Sequence, residues 1–304
     1  MPKVDKKNKK DNEEKDFAHV VISWYPGHMA KTKRQIQDDL RLIDVVIEIL
    51  DARIPISSQN PDIKGLTNCK KKIIALNKSD LADEAETKKW VQYFEKHGIR
   101  AVSINANTGA GIQELMKQIK KCTEETLTKQ AEKGRIGKNI RVMVLGIPNV
   151  GKSSLINRIA KRVTANVGNK PGITKMKQWI RVNNEIELLD TPGVLWPKFE
   201  SEEVALNLAY TGTIKDDILD KEEISYYLAK FLLENYSQNL IERYKLDKAN
   251  LNELQNTEIL LNEIGKKRGA LLAGGKIDFT KVADILLEDF RTGKLGTITL
   301  EKVK

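Results

Sequence analysis

The hydrophobic positions divide the chain into two parts of different texture. In the first two thirds, short apolar runs typical of β-strands alternate with stretches of helical periodicity. The strand-like runs lie at residues 44–50, 72–76, 100–104, 140–145, 178–182 and 185–189. The helical stretches lie at about residues 30–42, 112–127 and 152–160. This alternation predicts an α/β fold with a parallel sheet of βαβ units, ending in a hairpin that turns at Asn183-Asn184.

Beyond about residue 201 the strand-like runs end, and Leu, Ile and Tyr recur at helical spacing up to residue 264. A glycine-rich loop is predicted at residues 266–276, followed by a last helix near residues 281–290. The first residues, up to about 16, are polar and of mixed charge, which is typical of a disordered tail. We therefore expect a flexible tail at 1–20, an α/β domain at 21–200 and an all-helical domain at 201–304.

Composition narrows the classes of function. The chain has 304 residues, of which 40% are hydrophobic and 31% charged, as in globular proteins of more than one domain. It has no apolar run near the roughly 18 residues of a membrane span, and we expect no export signal. The cysteines Cys69 and Cys122 have neither CxxC spacing nor a disulfide pattern. We therefore expect a cytoplasmic protein in a reducing compartment.

The net charge of +10 is unevenly distributed. Residues 117–181 contain 16 Lys and Arg against three Glu, a net charge of +13. Residues 205–304 contain 15 basic and 16 acidic residues, a net charge of −1. A solvated surface that attracts nucleotide phosphates would explain the basic segment. A face for a polyanion such as RNA explains it as well, and we favour that second interpretation.

Three short motifs carry candidate chemistry. Residues 146–153 (GIPNVGKS) match the phosphate-binding P-loop pattern G-x-x-x-x-G-K-[ST], and residues 77–80 (NKSD) match the guanine-recognition pattern N-K-x-D. Residues 190–193 (DTPG) match the D-x-x-G pattern on the Mg²⁺ side of GTP sites, called switch II below. In an ordinary GTPase the P-loop comes first and the guanine motif late. The order here is inverted, which predicts a P-loop GTPase fold with circularly permuted motif order.

The P-loop follows a predicted strand and precedes a predicted helix, as phosphate binding requires. Gly146 and Gly151 allow the backbone to curl around phosphate oxygens, and the helix adds its N-terminal dipole. Lys152 is expected to reach the β- and γ-phosphates, and Ser153 to bind Mg²⁺ through its hydroxyl. The residues of this loop that we predict to contact GTP are Asn149, Val150, Gly151, Lys152, Ser153 and Ser154.

Base selection is assigned to the guanine motif. The Asp80 carboxylate can accept hydrogen bonds from N1–H and the 2-amino group of guanine, a donor pair that adenine lacks. Asn77 can contact the base edge, and the stem of Lys78 can lie against the ring. Asn105-Ala106-Asn107, after the strand at 100–104, occupies the place of the S-A-K loop of GTPases but departs from that pattern at two positions. The backbone N–H of Ala106 is therefore the expected donor to guanine O6.

On the Mg²⁺ side, Asp190 is expected to hold the ion through water, and the Gly193 N–H to contact the γ-phosphate. Thr174 lies between the P-loop and Asp190. It is the candidate switch I threonine, which closes on Mg²⁺ and the γ-phosphate, and the alternative is an ordinary loop threonine. The catalytic assignments are thus Lys152 and Thr174, and the predicted Mg²⁺ ligands are Ser153, Thr174 and Asp190.

The position after the switch II glycine holds Val194, where Ras-like enzymes have a glutamine that orients the attacking water. A hydrophobic side chain cannot orient water, so we expect slow intrinsic hydrolysis unless another group assists. One candidate is a cation near Asn149. The other is His28, because a neutral imidazole can position water. His28 is equally compatible with a structural or RNA-contacting role.

The motifs in this permuted order resemble those of the circularly permuted GTPases. Residues 24–30 (WYPGHMA), 51–55 (DARIP) and 172–174 (GIT) look closely like the RbgA/YlqF group, and the resemblance covers nearly the whole chain apart from the tail. It implies a GTPase that assists late maturation of the large ribosomal subunit, with a C-terminal helical RNA-binding domain. It also implies a water-positioning role for His28 and K⁺ stimulation linked to Asn149.

These expectations describe a monomeric GTPase that binds GTP, Mg²⁺ and a precursor of the large ribosomal subunit through its rRNA. It would leave the particle after hydrolysing GTP to GDP. The alternative, which Val194 keeps open, is a GTP-dependent RNA-binding or membrane-surface tether with negligible catalysis.

Overall fold

A computed structural model describes residues 28–131, 139–164, 178–182, 185–191, 193–196, 199–247 and 256–303. The predicted tail at 1–20 and the turn at Asn183-Asn184 lie outside these residues. The first two thirds fold, in chain order, into α1 (His28–Leu40), β1 (Val45–Asp51), α2 (Pro61–Thr67), β2 (Lys71–Asn77), α3 (Glu84–Lys96), β3 (Arg100–Ser103), α4 (Ile112–Ala131), β4 (Ile140–Leu145), α5 (Lys152–Thr164), β5 (Gln178–Arg181) and β6 (Ile186–Asp190). All six predicted strands are confirmed.

The strands form one sheet in the order β3-β2-β1-β4-β6-β5. Every neighbouring pair is parallel except β5 and β6, which pair antiparallel as the predicted hairpin requires. The central strand β1 (VVIEILD) is buried along its whole length, because helices cover both faces of a parallel sheet. The predicted α/β fold is thus confirmed.

The three nucleotide motifs meet at one edge of this sheet. Because five of the strands run parallel, their carboxyl ends point the same way, and ligands of open α/β sheets bind at that edge. Asn77 ends β2, Gly146 follows β4 directly, and Asp190 ends β6. The inverted order along the chain therefore still produces one continuous site.

The last third contains α6 (Glu202–Tyr210), a 3₁₀ turn (Asp216–Ile218), α7 (Lys221–Asn235), α8 (Ser237–Tyr244), α9 (Thr257–Arg268) and α10 (Phe279–Arg291). Side chains that precede four of these helices accept hydrogen bonds from first-turn backbone N–H groups: Ser201, Asp220, Asn256 and Asp278. The predicted loop at 266–276 begins too early, since α9 continues to Arg268. Gly269, with a φ of 65°, ends it in the left-handed conformation.

The segment that follows α10, up to residue 303, contains no further helix. It returns to the α/β part, where the Ile298 N–H donates to Leu81 O and the Leu300 N–H donates to Arg53 O, each at 2.9 Å. The Trp90 indole donates to Glu301 O at 2.9 Å. A continuous cluster of buried apolar side chains also joins the sheet to the helices of the last third. Within the described residues, no helix combines the length and apolar character needed to cross a membrane.

Candidate nucleotide-binding site

The P-loop connects β4 to α5 as predicted, and its glycines are required by close packing. A Cβ on Gly146 would lie 2.7 Å from Ile49 O, and one on Gly151 would lie 2.2 Å from Asn77 Nδ2. Gly151 and Asn149 also have φ angles of 98° and 60°, in the left-handed region. These conformations curl the loop, as a phosphate cradle requires.

Lys152 brings the P-loop and switch II together. Its side chain is buried, and Nζ donates a 2.6 Å hydrogen bond to Ile147 O. A Cβ on Gly193 would lie 2.7 Å from the same Nζ, so this glycine lies directly against the lysine. Burial lowers the pKa of Lys152 to about 8, and the nearby Asp190 carboxylate partly opposes that shift. An anionic phosphate beside this lysine would favour its charged form.

Asn77 joins the guanine motif to two other loops. Its Nδ2 donates to Val150 O at 2.7 Å, and its Oδ1 accepts from the Ala106 N–H at 2.9 Å. The side chain is buried, so both bonds are shielded from water. The sequence predicted instead that Asn77 and Ala106 contact the base. In this structure they bond to each other, and their contacts with guanine stay predictions.

Lys78 is held by an acidic residue that the sequence analysis did not assign to the site. Lys78 has a φ of 59°, and its Nζ lies 2.9 Å from Asp51 Oδ2. The same carboxylate accepts from Arg53 Nε and Nη2 at 3.0 and 2.8 Å. Burial acts to raise the pKa of Asp51, but Arg53 and Lys78 outweigh it and hold that pKa far below its usual range. The Arg53 guanidinium in turn lies 5.1 Å from the centre of the Phe290 ring in α10.

The remaining base-side residues lie at the carboxyl ends of β2 and β3. Asp80 is exposed and, with Ser79 and Asn105, lines an open groove of about 1030 Å³. Asn105 Oδ1 accepts from the backbone N–H groups of Asn107 and Thr108 at 2.8 and 3.0 Å, so this side chain stabilises its own turn. The asparagine that replaces the usual serine therefore has a structural reason.

Two of the three predicted Mg²⁺ ligands, Ser153 and Asp190, lie within the described residues. Ser153 is exposed in the first turn of α5, Ser154 beside it is half-buried, and Asp190 ends β6. The described residues contain no group of three or more His, Cys, Asp or Glu that would hold a metal by protein ligands alone. A hydroxyl and one carboxylate suit Mg²⁺, which keeps several waters and binds substrate phosphates. Thr174 lies outside the described residues.

Asn149 contacts the helical part of the chain. Its Nδ2 donates to Gly212 O at 2.5 Å, in the turn that follows α6. Arg291 of α10 fixes the end of that helix by donating to Tyr210 O and Ala209 O at 3.0 and 2.9 Å. The P-loop residue predicted to bind K⁺ is thus bonded to the last third of the chain.

Val194 is buried beside α1. Its carbonyl accepts from Asn60 Nδ2 at 2.8 Å, and its N–H donates to Gly146 O at 3.4 Å. Val194 lines a small cavity together with Ile36 of α1. Lys33, in the same helix, forms a 2.8 Å ion pair with Asp62. α1 begins at His28, whose side chain is outside the described part of the structure.

The sequence assigned no role in the site to three of these residues: Asp51, which lies in the motif 51–55, Asn60 and Gly212. Asp51 had a recognisable signal, because it ends a buried strand at the same sheet edge as the motifs. Asn60 is recognisable as a helix cap, because it precedes Pro61 and its side chain accepts from the Asp62 N–H at 2.9 Å. Its bond to Val194 and the bond of Gly212 to Asn149 have no local signal, since each joins residues far apart in sequence.

A P-loop, a guanine motif and switch II at one sheet edge define a P-loop GTPase fold with circularly permuted motif order. Residues 141–260 match the family described as 50S ribosome-binding GTPase, and residues 66–200 match the RsgA GTPase family. Ribosome biogenesis GTPase A of Bacillus cereus is 47% identical over 283 residues, covering 93% of this chain and 94% of the relative. Mitochondrial ribosome-associated GTPase 1 of Mus musculus is 36% identical, covering 93% and 91%.

The solved structures give the same result. GNP-bound YlqF from T. maritima matches with a TM-score of 0.61 at 28% identity, covering 90% of this chain and 98% of that chain. The chain therefore belongs to the family of circularly permuted GTPases that includes these ribosome biogenesis GTPases, and it is a GTP hydrolase.

Proposed function

We propose that this chain is a cytoplasmic GTPase of the RbgA/YlqF group that binds pre-ribosomal particles and assists late maturation of the large ribosomal subunit. It hydrolyses GTP to GDP on the particle and then leaves. The observation that carries the GTP part is the Asn77 side chain, which ties the guanine motif to the P-loop at 2.7 Å. The ribosomal part is supported by the names of relatives that match over more than nine tenths of the chain.

The phosphate side of the site has a clear division of roles. Lys152 would neutralise the β- and γ-phosphates, and its buried position concentrates that charge on the nucleotide. The Gly193 N–H, next to the lysine, would bond to the γ-phosphate and so detect its loss. Ser153, Thr174 and Asp190 would hold Mg²⁺, which when bound supplies charge neutralisation at the phosphate oxygens.

The base side selects guanine. Asp80, exposed at the end of the guanine motif, would accept from N1–H and the 2-amino group. The stem of Lys78 would lie along the ring, because its ammonium is fixed to Asp51 at 2.9 Å. Ala106 and Asn105 would line the base from the neighbouring loop. ATP would leave the Asp80 carboxylate without donors, which disfavours it.

Water activation is the step for which the chain lacks the usual side chain. Val194 is buried and apolar, so its side chain has no group that could hydrogen-bond to the attacking water. His28, at the start of α1, is the first proposal for the group that positions water; Ile36 of the same helix lies beside Val194, about 12 Å along the helix axis from His28. A K⁺ ion at Asn149 is the second proposal. The Asn149 amide nitrogen donates to Gly212 O, which leaves the amide oxygen to face a cation.

The nucleotide state would reach the helical part by short routes. Switch II ends at Gly193, and α6 begins at Glu202, so few residues separate them. The Asn149 to Gly212 bond is a second connection. Loss of the γ-phosphate would therefore alter the hold of the helical domain at 201–304 on rRNA.

A second candidate is a GTP-dependent RNA-binding or membrane-surface tether with negligible catalysis. The buried Val194 is the observation that favours it. Turnover measured with and without purified large-subunit precursors separates the two functions. The GTPase proposal predicts that His28→Ala abolishes particle-stimulated turnover, whereas the exposed control His97→Ala retains it.

Particle binding is tested directly by co-sedimentation with large-subunit precursors. The protein should pellet with them in a non-hydrolysable GTP analogue and remain in the supernatant in GDP. Equal pelleting in both nucleotides would refute a GTP-controlled assembly factor.

A further inference from the structure

The loop between α9 and α10 is a small, ordered hairpin, called the glycine hairpin below (residues 269–278). Leu271 and Ile277 form an antiparallel β-bridge, and the Leu272 N–H donates to Lys276 O at 2.8 Å. Gly274 and Gly275 turn the chain with φ angles of 85° and 77°, and a Cβ on either would meet no atom within 4 Å. These glycines are therefore required by backbone conformation, and the tip stands in open space.

The base of the hairpin is firmly packed. Ala270 is fully buried, and its carbonyl accepts from the Asp278 N–H at 2.9 Å. A Cβ on Gly265 of α9 would lie 2.8 Å from Ile277, so helix and hairpin are in close contact. The tip is thus held in place before any partner binds, which lowers the entropic cost of binding.

Two leucines are exposed on this rigid support. Leu271 and Leu272 are 48% and 54% exposed, and Phe279 just beyond the hairpin is 40% exposed. Single exposed apolar residues are ordinary, but Leu271 and Leu272 expose two large apolar side chains next to each other in sequence on one small hairpin. Folding gains nothing from such exposure, which points to a contact made with another molecule.

The surrounding charge identifies the kind of partner. Residues 265–281 contain five basic residues and one acidic residue, a net charge of +4, within a C-terminal third whose net charge is −1. The acidic residue, Asp278, is occupied by capping α10, since it accepts from the Lys281 N–H at 3.0 Å. Lys267 and Lys276 are exposed and make no ion pair among the described residues. Exposed leucines with these two lysines close to them complement looped RNA, whose unstacked bases adjoin phosphates.

We propose that the glycine hairpin is an RNA-binding element that inserts Leu271 and Leu272 against unstacked bases of an rRNA loop. Lys267 and Lys276 neutralise the adjacent phosphates. Apolar side chains act as wedges between bases in other nucleic-acid complexes, and lysines supply the salt-dependent part of the affinity. This element rests on the proposed function, because it requires that the chain bind rRNA.

The test uses the full-length protein with a GTP analogue. The probes are deproteinised large-subunit rRNA, a stem-loop RNA and a blunt-ended RNA duplex with as many nucleotides as the stem-loop. The variants are Leu271→Ser/Leu272→Ser and Lys267→Gln/Lys276→Gln. Matched controls are Ile259→Ser, an exposed apolar residue of α9, and Lys215→Gln/Lys230→Gln, two exposed lysines elsewhere in the helical part.

The leucine variant should weaken stem-loop binding by about tenfold and duplex binding by less than about twofold, since an aliphatic side chain reaches the face of a base only where that base is unstacked. The lysine variant should weaken both and lower the slope of log K against log salt by about 1.4 for single strands. Both controls should bind like the wild type. Unchanged stem-loop binding by the leucine variant would overturn the proposal even if the lysine variant were weakened.

Three further results separate this proposal from the proposed function. If the wild-type protein binds precursors and the hairpin variants bind RNA as well as the controls do, the hairpin proposal is overturned and the proposed function stands. Wild-type protein that binds neither rRNA nor precursors would overturn both. Loss of particle binding with full retention of rRNA and stem-loop binding would assign the hairpin to a protein partner and overturn the RNA proposal.

Discussion

The side-chain amide of Asn77 donates a 2.7 Å hydrogen bond to the backbone carbonyl of Val150, 73 residues further along the chain. The same side chain accepts from Ala106 N–H, so one buried asparagine fixes three loops of the nucleotide site relative to each other. In a chain whose motif order is inverted, this residue restores the spatial arrangement that GTP binding needs.

Replacing Asn77 with alanine should therefore weaken GTP and GDP alike. Each buried partner left unsatisfied costs about 1–3 kcal/mol, which corresponds to a loss of affinity of roughly 5- to 150-fold for both nucleotides. Isothermal titration calorimetry measures both affinities. Asn107→Ala, on the exposed side of the neighbouring loop, is the matched control and should bind normally. Normal nucleotide affinity in Asn77→Ala would show that the loops are held by other contacts.

Asp51→Asn should destabilise the folded protein and loosen Lys78. Removing one partner of a buried ion pair costs about 3–5 kcal/mol, because Arg53 would remain buried without its carboxylate. Urea unfolding measures the loss, and GDP affinity should fall with it. Lys88→Gln, which breaks an exposed ion pair with Glu84, is the control and should change stability little.

The pH dependence of stability should also change in Asp51→Asn. The folded-state pKa of Asp51 lies far below the ordinary 3.8, so the pair stabilises the protein above pH 3.8 and loses that contribution as pH falls further. Unfolding free energies between about pH 7 and pH 3 should therefore decline less steeply below pH 4 in the variant. If the unfolding free energies of the wild type and Asp51→Asn fell equally with pH, the ion pair of Asp51 would not contribute to stability in this way.

Lys152 should take up a proton when nucleotide binds at alkaline pH. Its pKa of about 8 in the free protein means that most molecules carry a neutral amine at pH 9, and the phosphates favour the charged form. Calorimetry in buffers of different ionisation enthalpy should show an uptake approaching one proton per GDP at pH 9 and near none at pH 6. Lys152→Arg should abolish the pH-dependent uptake, because arginine remains charged. Uptake that persists in Lys152→Arg would assign the proton to another group.

Much of this site could be predicted because its parts are local in sequence. The P-loop and guanine motif each follow a strand, and parallel strands bring their carboxyl ends together. The roles of Asn77 and Asp51 could not be predicted, because each depends on which partners the tertiary fold brings next to the side chain. The return of Leu300 to Arg53 is likewise non-local, with no periodicity to mark it. The glycine-rich composition of residues 266–276 did not mark the end of α9, which continues to Arg268 and ends at Gly269.

Asn149→Ala should uncouple the P-loop from the helical part. The bond to Gly212 O would be lost, so backbone amides of the turn after α6 should exchange hydrogen faster, while those of α9 stay protected. Hydrogen-exchange mass spectrometry in GDP and in a GTP analogue measures this. If K⁺ binds at Asn149, the variant should also lose stimulation by K⁺ over Na⁺. If amide exchange in this turn were unchanged in both nucleotide states, the bond between Asn149 and Gly212 would not connect the P-loop to the helical part.

The most direct test of the central claim is the steady-state rate of GTP hydrolysis, with and without purified large-subunit precursors, at several salt concentrations. The account predicts slow turnover by the protein alone, because Val194 cannot orient water, and at least about a tenfold increase on the precursor. That increase should shrink as salt rises, since the particle is held partly through rRNA phosphates. A rate that precursors leave unchanged at every salt concentration would contradict a GTPase switched by the particle it helps to assemble.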